Sequence, residues 1–405
     1  MDKRKILRIG IIGAGGRGVG GYIRYFSEAP MPVELAAIAD PSERNVQRCL
    51  EQLDNQAAKP SIYTDWRVML EREAPFDGVI IATPNYLHYA PAMDCLRHGV
   101  KAIALEKPLA PTPEDCAEIV AEAHAQGAGV QLGFVLRSTP FYKKVKELLE
   151  QGVVGRITTI QADELVELRT TSVNFRSPWR RYTDLGGGTM LEKCCHDMDM
   201  LTWLVGSRPL RVSSFGGRAI FQSNPTLPDR CGEHCPAHAS CPYYIGRREM
   251  AEPLKAKLEP LCVYNSGADV MDHQSVQIVY ANGTICNFVM NFHTSGERSS
   301  RNLHIIGTRG RIWGNMGASQ LWSQDLSGAG ETAHPIMTDG SGHGGGNRNH
   351  ALAFLRLAAG GEVDSVATAY DAYLSAMLCF AADRSCRDVR QVSLRYPHTR
   401  HIEID

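Results

Sequence analysis

The 405-residue sequence contains no run of about 18 apolar residues, so it offers no transmembrane helix. It has almost no net charge: 43 Lys and Arg stand against 44 Asp and Glu, a formal charge of −1. A chain so balanced lacks an electrostatic footprint for nucleic acid or an anionic membrane surface. No internal repeat is visible. There is little to suggest a signal peptide either. "MDKRKILRIGIIGAGGRG" (Met1–Gly18) begins with charges, but its apolar run is brief, broken by glycine and free of a small-residue cleavage pattern. These absences predict a soluble, cytoplasmic protein. What the chain does have is 43% hydrophobic content, enough for two packed domains, and twelve cysteines. In a reducing compartment most of those should be small core residues.

The first third alternates two patterns. "ILRIGIIG" (Ile6–Gly13), "VELAAIAD" (Val33–Asp40), "DGVIIATP" (Asp77–Pro84), "KAIALEKP" (Lys101–Pro108) and "GVQLGFV" (Gly129–Val135) are continuous apolar runs, as in strands buried on both faces. Helical stretches lie between them. One is Thr112–Gly127, with a capping Thr112, Pro113 at the first helical position and Gly127 past the end. This predicts a doubly wound parallel sheet over residues 1–136. Beyond it the pattern favours strands. "DHQSVQIVYANGTICNFVMNFH" alternates around Asn282-Gly283, a hairpin signal, and "RNLHIIGTRGRIWGN" is a second hairpin candidate. Residues 137–405 are therefore expected to form an α+β domain on a large, open, mainly antiparallel sheet. Residues 323–348 read as a long Gly-rich loop, either a simple connection or a lid.

Gly13-Ala14-Gly15-Gly16-Arg17-Gly18 fits G-x-G-x-x-G between a strand and a helix, the context that gives this pattern meaning. Its glycines let the backbone approach a pyrophosphate, and Arg17 joins the candidate cofactor contacts. Asp40 ends the second strand, where a carboxylate accepts from ribose hydroxyls and repels a 2′-phosphate. That favours NAD over NADP, although Arg44 lies nearby and could serve a phosphate. "ATPNYLH" (Ala82–His88) and "EKP" (Glu106-Lys107-Pro108) fall on the carboxyl edge of the sheet, where ligands bind in such folds.

"LGGGTMLEKCCHDMDMLTWL" (Leu185–Leu204) reads as a helix behind three glycines. Glu192 and His196 are four apart, one turn, and so able to act together. Cys194 falls on the apolar face and Cys195 at its edge. The preceding loop carries Trp179, Arg180 and Tyr182, suited to stacking on a sugar and gripping hydroxyls. Arg137 follows the last parallel strand and is a candidate for the same role, as is Lys193.

Taken together, the glycine motif, "ATPNYLH", "EKP", "GRITTIQ", "GGGTMLEKCCHDMD" and "RNLHIIGTRGRI" resemble the glucose–fructose oxidoreductase, inositol dehydrogenase and MocA family, Gfo/Idh/MocA. The resemblance covers nearly the whole chain. It implies a Rossmann domain followed by an open-sheet domain that commonly forms a homodimer or homotetramer interface. It also implies reversible hydride transfer between NAD(P) and a carbohydrate or cyclitol. Lys107 would touch the nicotinamide region and the substrate hydroxyl, with Glu106 beside it. Thr83, Asn85 and His88 would lie along the nicotinamide ribose. The family's aspartate and histidine, four apart, flank the reacting hydroxyl. The histidine matches His196, whereas Glu192 stands where aspartate is usual, a longer arm that leaves its role open. Histidine suits removal of the hydroxyl proton, and Lys107 can stabilise the developing alkoxide.

Two further readings accompany this. Some family members act as redox glycosidases, oxidising a ring hydroxyl, eliminating the glycosidic oxygen, adding water and returning the hydride. A cofactor-sensing regulator is the non-enzymatic alternative, disfavoured by the intact Lys107 and His196. Separately, Cys231, Cys235, Cys241 and Cys262 lie in a Pro-rich insertion near 228–265, with His234 and His238 interleaved. They are a candidate structural zinc site, with an iron–sulfur cluster or free thiols as the alternatives.

Overall fold

The computed structural model describes residues 6–53, 59–247, 258–296, 300–328, 330–363, 366–398 and 400–405. The chain divides into two compact units. One comprises 1–143, 337–376 and 398–401, the other 144–336, 377–397 and 402–405.

The first unit is built on six strands: β1 (Leu7–Ile12), β2 (Val33–Ala39), β3 (Ser61–Tyr63), β4 (Gly78–Ile81), β5 (Ala102–Leu105) and β6 (Gly129–Leu132). Their order is β3-β2-β1-β4-β5-β6, every pairing parallel. The order reverses between β1 and β4, the topological switch point where such sheets bind ligands. Ile9, Ile11, Leu35, Ile38 and Ile80 are sealed from solvent, as expected of strands covered on both faces. The helix Pro113–Ala125 starts as its sequence predicts, with the Thr112 side chain accepting from Asp115 N–H and Pro113 in the first turn.

The helix Gly342–Ala358 also belongs to this unit, so the boundary is not a single cut at 136/137. Ala351, Phe354 and Leu355 join the same core as β1 and β2, and Gly78 leaves room for Phe354. A long connection was expected over 323–348. It instead carries part of one strand, all of another and the start of this helix.

The second unit carries ten strands. They are β7 (Ile157–Glu167), β8 (Pro209–Gly217), β9 (His273–Tyr280), β10 (Ile285–Thr294), β11 (Arg301–Gly307), β12 (Gly310–Asn315), β13 (Gln320–Asp325), β14 (Thr332–Pro335), β15 (Val392–His398) and β16 (His401–Ile404). The order is β14-β13-β12-β11-β7-β10-β9-β8-β15-β16. β7 and β10 run parallel, and the pairs flanking them are antiparallel. The β9–β10 hairpin turns at Asn282-Gly283, where Gly283 has φ +85°. One face of this sheet is open and mixed, with a few apolar side chains among polar ones such as Gln277, Asn287 and Gln161. Phe215, 72% exposed, and Val289 stand in one row through Ser275. No helix among the described residues is long and apolar enough to cross a membrane.

Candidate active-site residues in the two units

In the first unit the chain leaves β1 through Gly13, at φ +87°. A Cβ there would sit 2.8 Å from the Ala82 backbone, so only glycine fits. One on Gly18 would come within 2.6 Å of the Gly13 carbonyl oxygen, whereas one on Gly15 would meet nothing within 4 Å. Close packing below and open space above form a cradle suited to a pyrophosphate.

Asp40, buried at the end of β2, folds over this turn. Its Oδ2 accepts from Ala14 N–H at 2.8 Å and its Oδ1 from Ser42 N–H at 2.8 Å, with Asn45 Nδ2 also in reach. The carboxylate is thus pre-oriented by three donors beside the glycine turn.

Arg17 has a different place from that expected of a cofactor contact. Its Nε donates to Glu106 Oε1 at 2.7 Å and its Nη1 to Asn347 Oδ1 at 2.9 Å. Tyr22 hydroxyl also donates to Glu106, at 3.1 Å. Both expected cofactor residues are therefore committed to each other. They lock the glycine turn to the end of β5, and backbone N–H groups remain as anion donors. Burial pushes the Glu106 carboxyl up, but Arg17 outweighs it and holds the carboxyl below its ordinary value.

His350 completes this cluster, and sequence reasoning missed it. Its Nε2 lies 3.3 Å from Tyr22 hydroxyl and 3.2 Å from Gln131 Nε2. Burial first, then Arg17, pushes its pKa down to about 3. Neutral His350 therefore stabilises the fold fully above the ordinary value near 6.5. That contribution is lost as pH falls toward 3, at roughly 1.4 kcal/mol per pH unit. His350→Gln should flatten the fall in Tm between pH 6 and 4. A slope equal to that of wild type would show that His350 is not the titrating group.

His88, expected along a nicotinamide ribose, is fully buried. Its Nδ1 lies 2.6 Å from Pro108 carbonyl and its Nε2 3.0 Å from Thr83 carbonyl. It ties "ATPNYLH" to "EKP" with both ring nitrogens against backbone carbonyls, and burial lowers its pKa. Thr83 Oγ1 donates to Leu87 carbonyl, and Asn85 is buried at the start of the next turn. Lys107, half-buried, follows β5 at the sheet's carboxyl edge. Arg137, expected to grip substrate, is 5% exposed and paired with Asp371 at 3.3 Å.

In the second unit the helix Gly188–Val205 begins after Gly187 and ends at Gly206, both left-handed. A Cβ on Gly187 would come within 2.4 Å of Leu191 Cδ2, so the glycine lets Leu191 cover the helix start. The helix is buried on nearly all sides, more than a single apolar face implies. Glu192 and His196 are both about 95% buried, one turn apart. Arg180 Nε donates to Glu192 Oε1 at 2.8 Å, and its guanidinium stacks 4.2 Å above the Trp179 ring. Trp179, Arg180 and Glu192 are thus linked side chain to side chain, and His196 lies one turn beyond Glu192 on the same helix. The Cys194 thiol is pushed up by burial and stays protonated, unsuited to nucleophilic work.

Lys193 belongs elsewhere. Its Nζ reaches back to β7, 3.0 Å from Glu164 Oε1, so it is not a substrate contact here. Glu164 also meets Arg301 Nη2 at 2.8 Å, and Arg301 grips Asp197 through Nε at 2.7 Å and Nη2 at 3.2 Å. Arg301 and Glu164 are directly opposite across β11 and β7. Two cations and two carboxylates compensate one another between this helix and strands β7 and β11.

The zinc expectation is not supported. Among the described residues no three His, Cys, Asp or Glu side chains come together to hold a metal ion. Cys231, Cys235, Cys241 and Cys262 line a cavity instead of converging on a point. Both nearby histidines turn to backbone: His234 Nε2 lies 3.0 Å from Arg230 carbonyl, and His238 Nδ1 2.9 Å from Cys235 carbonyl.

Comparison with known proteins agrees with this geometry. Residues 7–134 match the oxidoreductase family with an NAD-binding Rossmann fold, and residues 142–313 match the Gfo/Idh/MocA C-terminal domain. The chain belongs to the Gfo/Idh/MocA family. Levoglucosan dehydrogenase of Pseudarthrobacter phenanthrenivorans (strain DSM 18606 / JCM 16027 / LMG 23796 / Sphe3) is 26% identical over 417 residues, 96% of this chain and 99% of that one. 2,7-Anhydro-N-acetylneuraminate hydratase of Mediterraneibacter gnavus (strain ATCC 29149 / DSM 114966 / JCM 6515 / VPI C7-9) is 29% identical over 189 residues, 46% of this chain and 47% of that one. A solved complex of levoglucosan dehydrogenase with NADH and levoglucosan shares the fold, with a TM-score of 0.73 and 22% identity over 96% of this chain and 99% of that one. The Gfo/Idh/MocA fold thus extends over both units of this chain.

Proposed function

We propose that this Gfo/Idh/MocA protein is an NAD-dependent dehydrogenase acting on a hydroxyl-bearing carbon of a sugar, sugar derivative or cyclitol. The observation that carries the cofactor assignment is the Gly13 turn with Asp40 pre-oriented beside it at the sheet's switch point. The backbone N–H groups after Ala14 would hold the pyrophosphate, and Asp40, oriented by Ala14 N–H, the ribose hydroxyls. NAD, when bound, supplies the hydride acceptor. Lys107 stabilises the developing alkoxide, and His196 takes the hydroxyl proton. Arg180 fixes the Glu192 carboxylate, which orients His196 and binds a neighbouring hydroxyl. Trp179 offers a face for the ring. A homodimer or homotetramer would use the open sheet face, where Phe215 and Val289 are exposed among polar side chains.

A redox glycosidase is the second reading, favoured by the likeness to a hydratase of an anhydro sugar. The two are separated by recording absorbance at 340 nm and released aglycone together, with NAD, over cyclitols, aldoses, anhydro sugars and aryl glycosides. NADH accumulating in proportion to product supports the dehydrogenase. Aglycone release or hydration without net NADH supports the second. Neither, across all four classes, would overturn both.

Asp40 gives a sharper prediction. Alanine would release both Ala14 N–H and Ser42 N–H, whereas asparagine keeps an acceptor for one of them and is the smaller change. Asp40→Asn should lower the preference for NAD over NADP by about 10- to 100-fold in kcat/KM, the worth of a charge-assisted hydrogen bond. Unchanged discrimination would show that Asp40 does not read the ribose.

A further inference from the structure

We propose that the cavity bounded by Cys231, Cys235, Cys241 and Cys262 takes a four-iron, four-sulfur cluster, with Arg176 as its buried counter-charge. The cavity measures about 410 Å³ and lies wholly within the second unit. All four thiols line it, together with Arg176 and Tyr264. Backbone pairing explains the convergence. Arg230 and Leu261 form an antiparallel bridge, flanked by Cys231 N–H to Pro260 carbonyl and Cys262 N–H to Asp229 carbonyl, both 2.8 Å. Side chains alternate along such a pair, so Cys231 and Cys262 project from the same face. Two turns, closed by Cys235 N–H to Gly232 carbonyl and Cys241 N–H to Ala237 carbonyl, supply the other two thiols.

Arg176 is the independent observation. It is 1% exposed. Its Nε donates to Leu261 carbonyl and its Nη2 to Tyr243 carbonyl, both at 2.7 Å. Its Nη1 has no oxygen or nitrogen partner among the described residues, and Cys231 is the side chain that acts on the guanidinium by hydrogen bond. Neither bond made is to a carboxylate, and a buried guanidinium needs a counter-charge. Among the described residues that line this cavity, the four cysteines are the groups that most readily carry one.

Size decides the kind of metal group. A single zinc ion needs its sulfurs about 2.3 Å from one centre, and the described thiols do not converge so. In a cubane each cysteine binds a different iron, so the ligands stand apart around a space. Cys235 and Cys241 are each followed by proline, as is a ligating cysteine in the bacterial ferredoxin run. Loading by ligand exchange balances. Four cysteine thiols give up their protons to the four exogenous thiolates of a synthetic cluster at the 2+ core level. Four free thiols leave, and no electron is transferred. The bound group carries a charge of 2−, which Arg176 faces.

The test is anaerobic incubation of the full chain with a synthetic four-iron, four-sulfur tetrathiolate cluster, followed by gel filtration and assay of iron and acid-labile sulfide. The expected result is four of each per chain, with absorbance near 400 nm. Cys241→Ser combined with Cys262→Ser should abolish uptake, and Cys286→Ser, on β10, should not. Arg176→Gln keeps all four thiols, and should move the cluster's reduction potential to more negative values because a positive charge is lost. Less than one iron per chain, equal uptake by the double variant, or tightly held stoichiometric zinc in place of iron would overturn the cluster. An unchanged potential in Arg176→Gln would overturn the counter-charge.

Discussion

Lys107→Ala should lower kcat for the alcohol substrate by about 10²- to 10⁴-fold, the usual worth of a group that stabilises charge or shares a proton in the transition state. Its place explains why one side chain carries so much. β5 ends at Leu105, and Glu106 is held by Arg17 and Tyr22. The next residue is therefore presented at the carboxyl edge from a rigid base. Because that base is made by Glu106, the variant should keep its Tm and its affinity for NAD within a few-fold. Thermal melts and cofactor titration check the first part, and initial rates at 340 nm the second. Turnover like that of wild type would remove Lys107 from the chemistry.

Arg301→Ala should cost about 3–5 kcal/mol of stability, the price of leaving buried carboxylates unpaired. Arg301 bridges Glu164 and Asp197, and all three are more than 90% buried. Lys193 pairs directly with Glu164 and acts on Asp197 more weakly than Arg301 does. Burial already pushes the Asp197 carboxyl up to about 6, against the pull of Arg301. Without that cation the carboxyl rises further. The penalty should then be largest above pH 7 and shrink as pH falls and Asp197 takes up a proton. Urea unfolding at pH 5.5 and 8 measures this. Arg301→Met with Asp197→Leu should recover much of the loss. Equal penalties at both pH values would assign the effect to packing instead of charge.

What was legible in the sequence followed from local rules. The parallel strands showed because burial on both faces makes them continuous apolar runs. The glycine turn showed because a left-handed residue and two close approaches each demand glycine at a fixed offset. The hairpin at Asn282-Gly283 and the placing of Glu192 and His196 one turn apart on one helix are likewise matters of short spacing. What could not be read were partners distant in sequence. Arg17 looks like a phosphate contact until Asn347, 330 residues on, and Glu106 take its fork. Arg137 and Lys193 resemble substrate contacts for the same reason, and are paired with Asp371 and Glu164. β3 is three residues long, too short for any period. The strands and helix start within 323–348 are polar and Gly-rich, so composition hid them.

The central claim is hydride transfer from a substrate carbon, and isotopic labelling tests it most directly. A sugar or cyclitol that is turned over would be prepared with deuterium on the carbon to be oxidised. It would then be incubated with NAD and the protein, and the cofactor recovered for mass spectrometry. The account predicts one deuterium in the reduced cofactor, and none with Lys107→Ala over the same time. Product formed with deuterium lost to solvent, or retained on the substrate while the cofactor stays unlabelled, would contradict it.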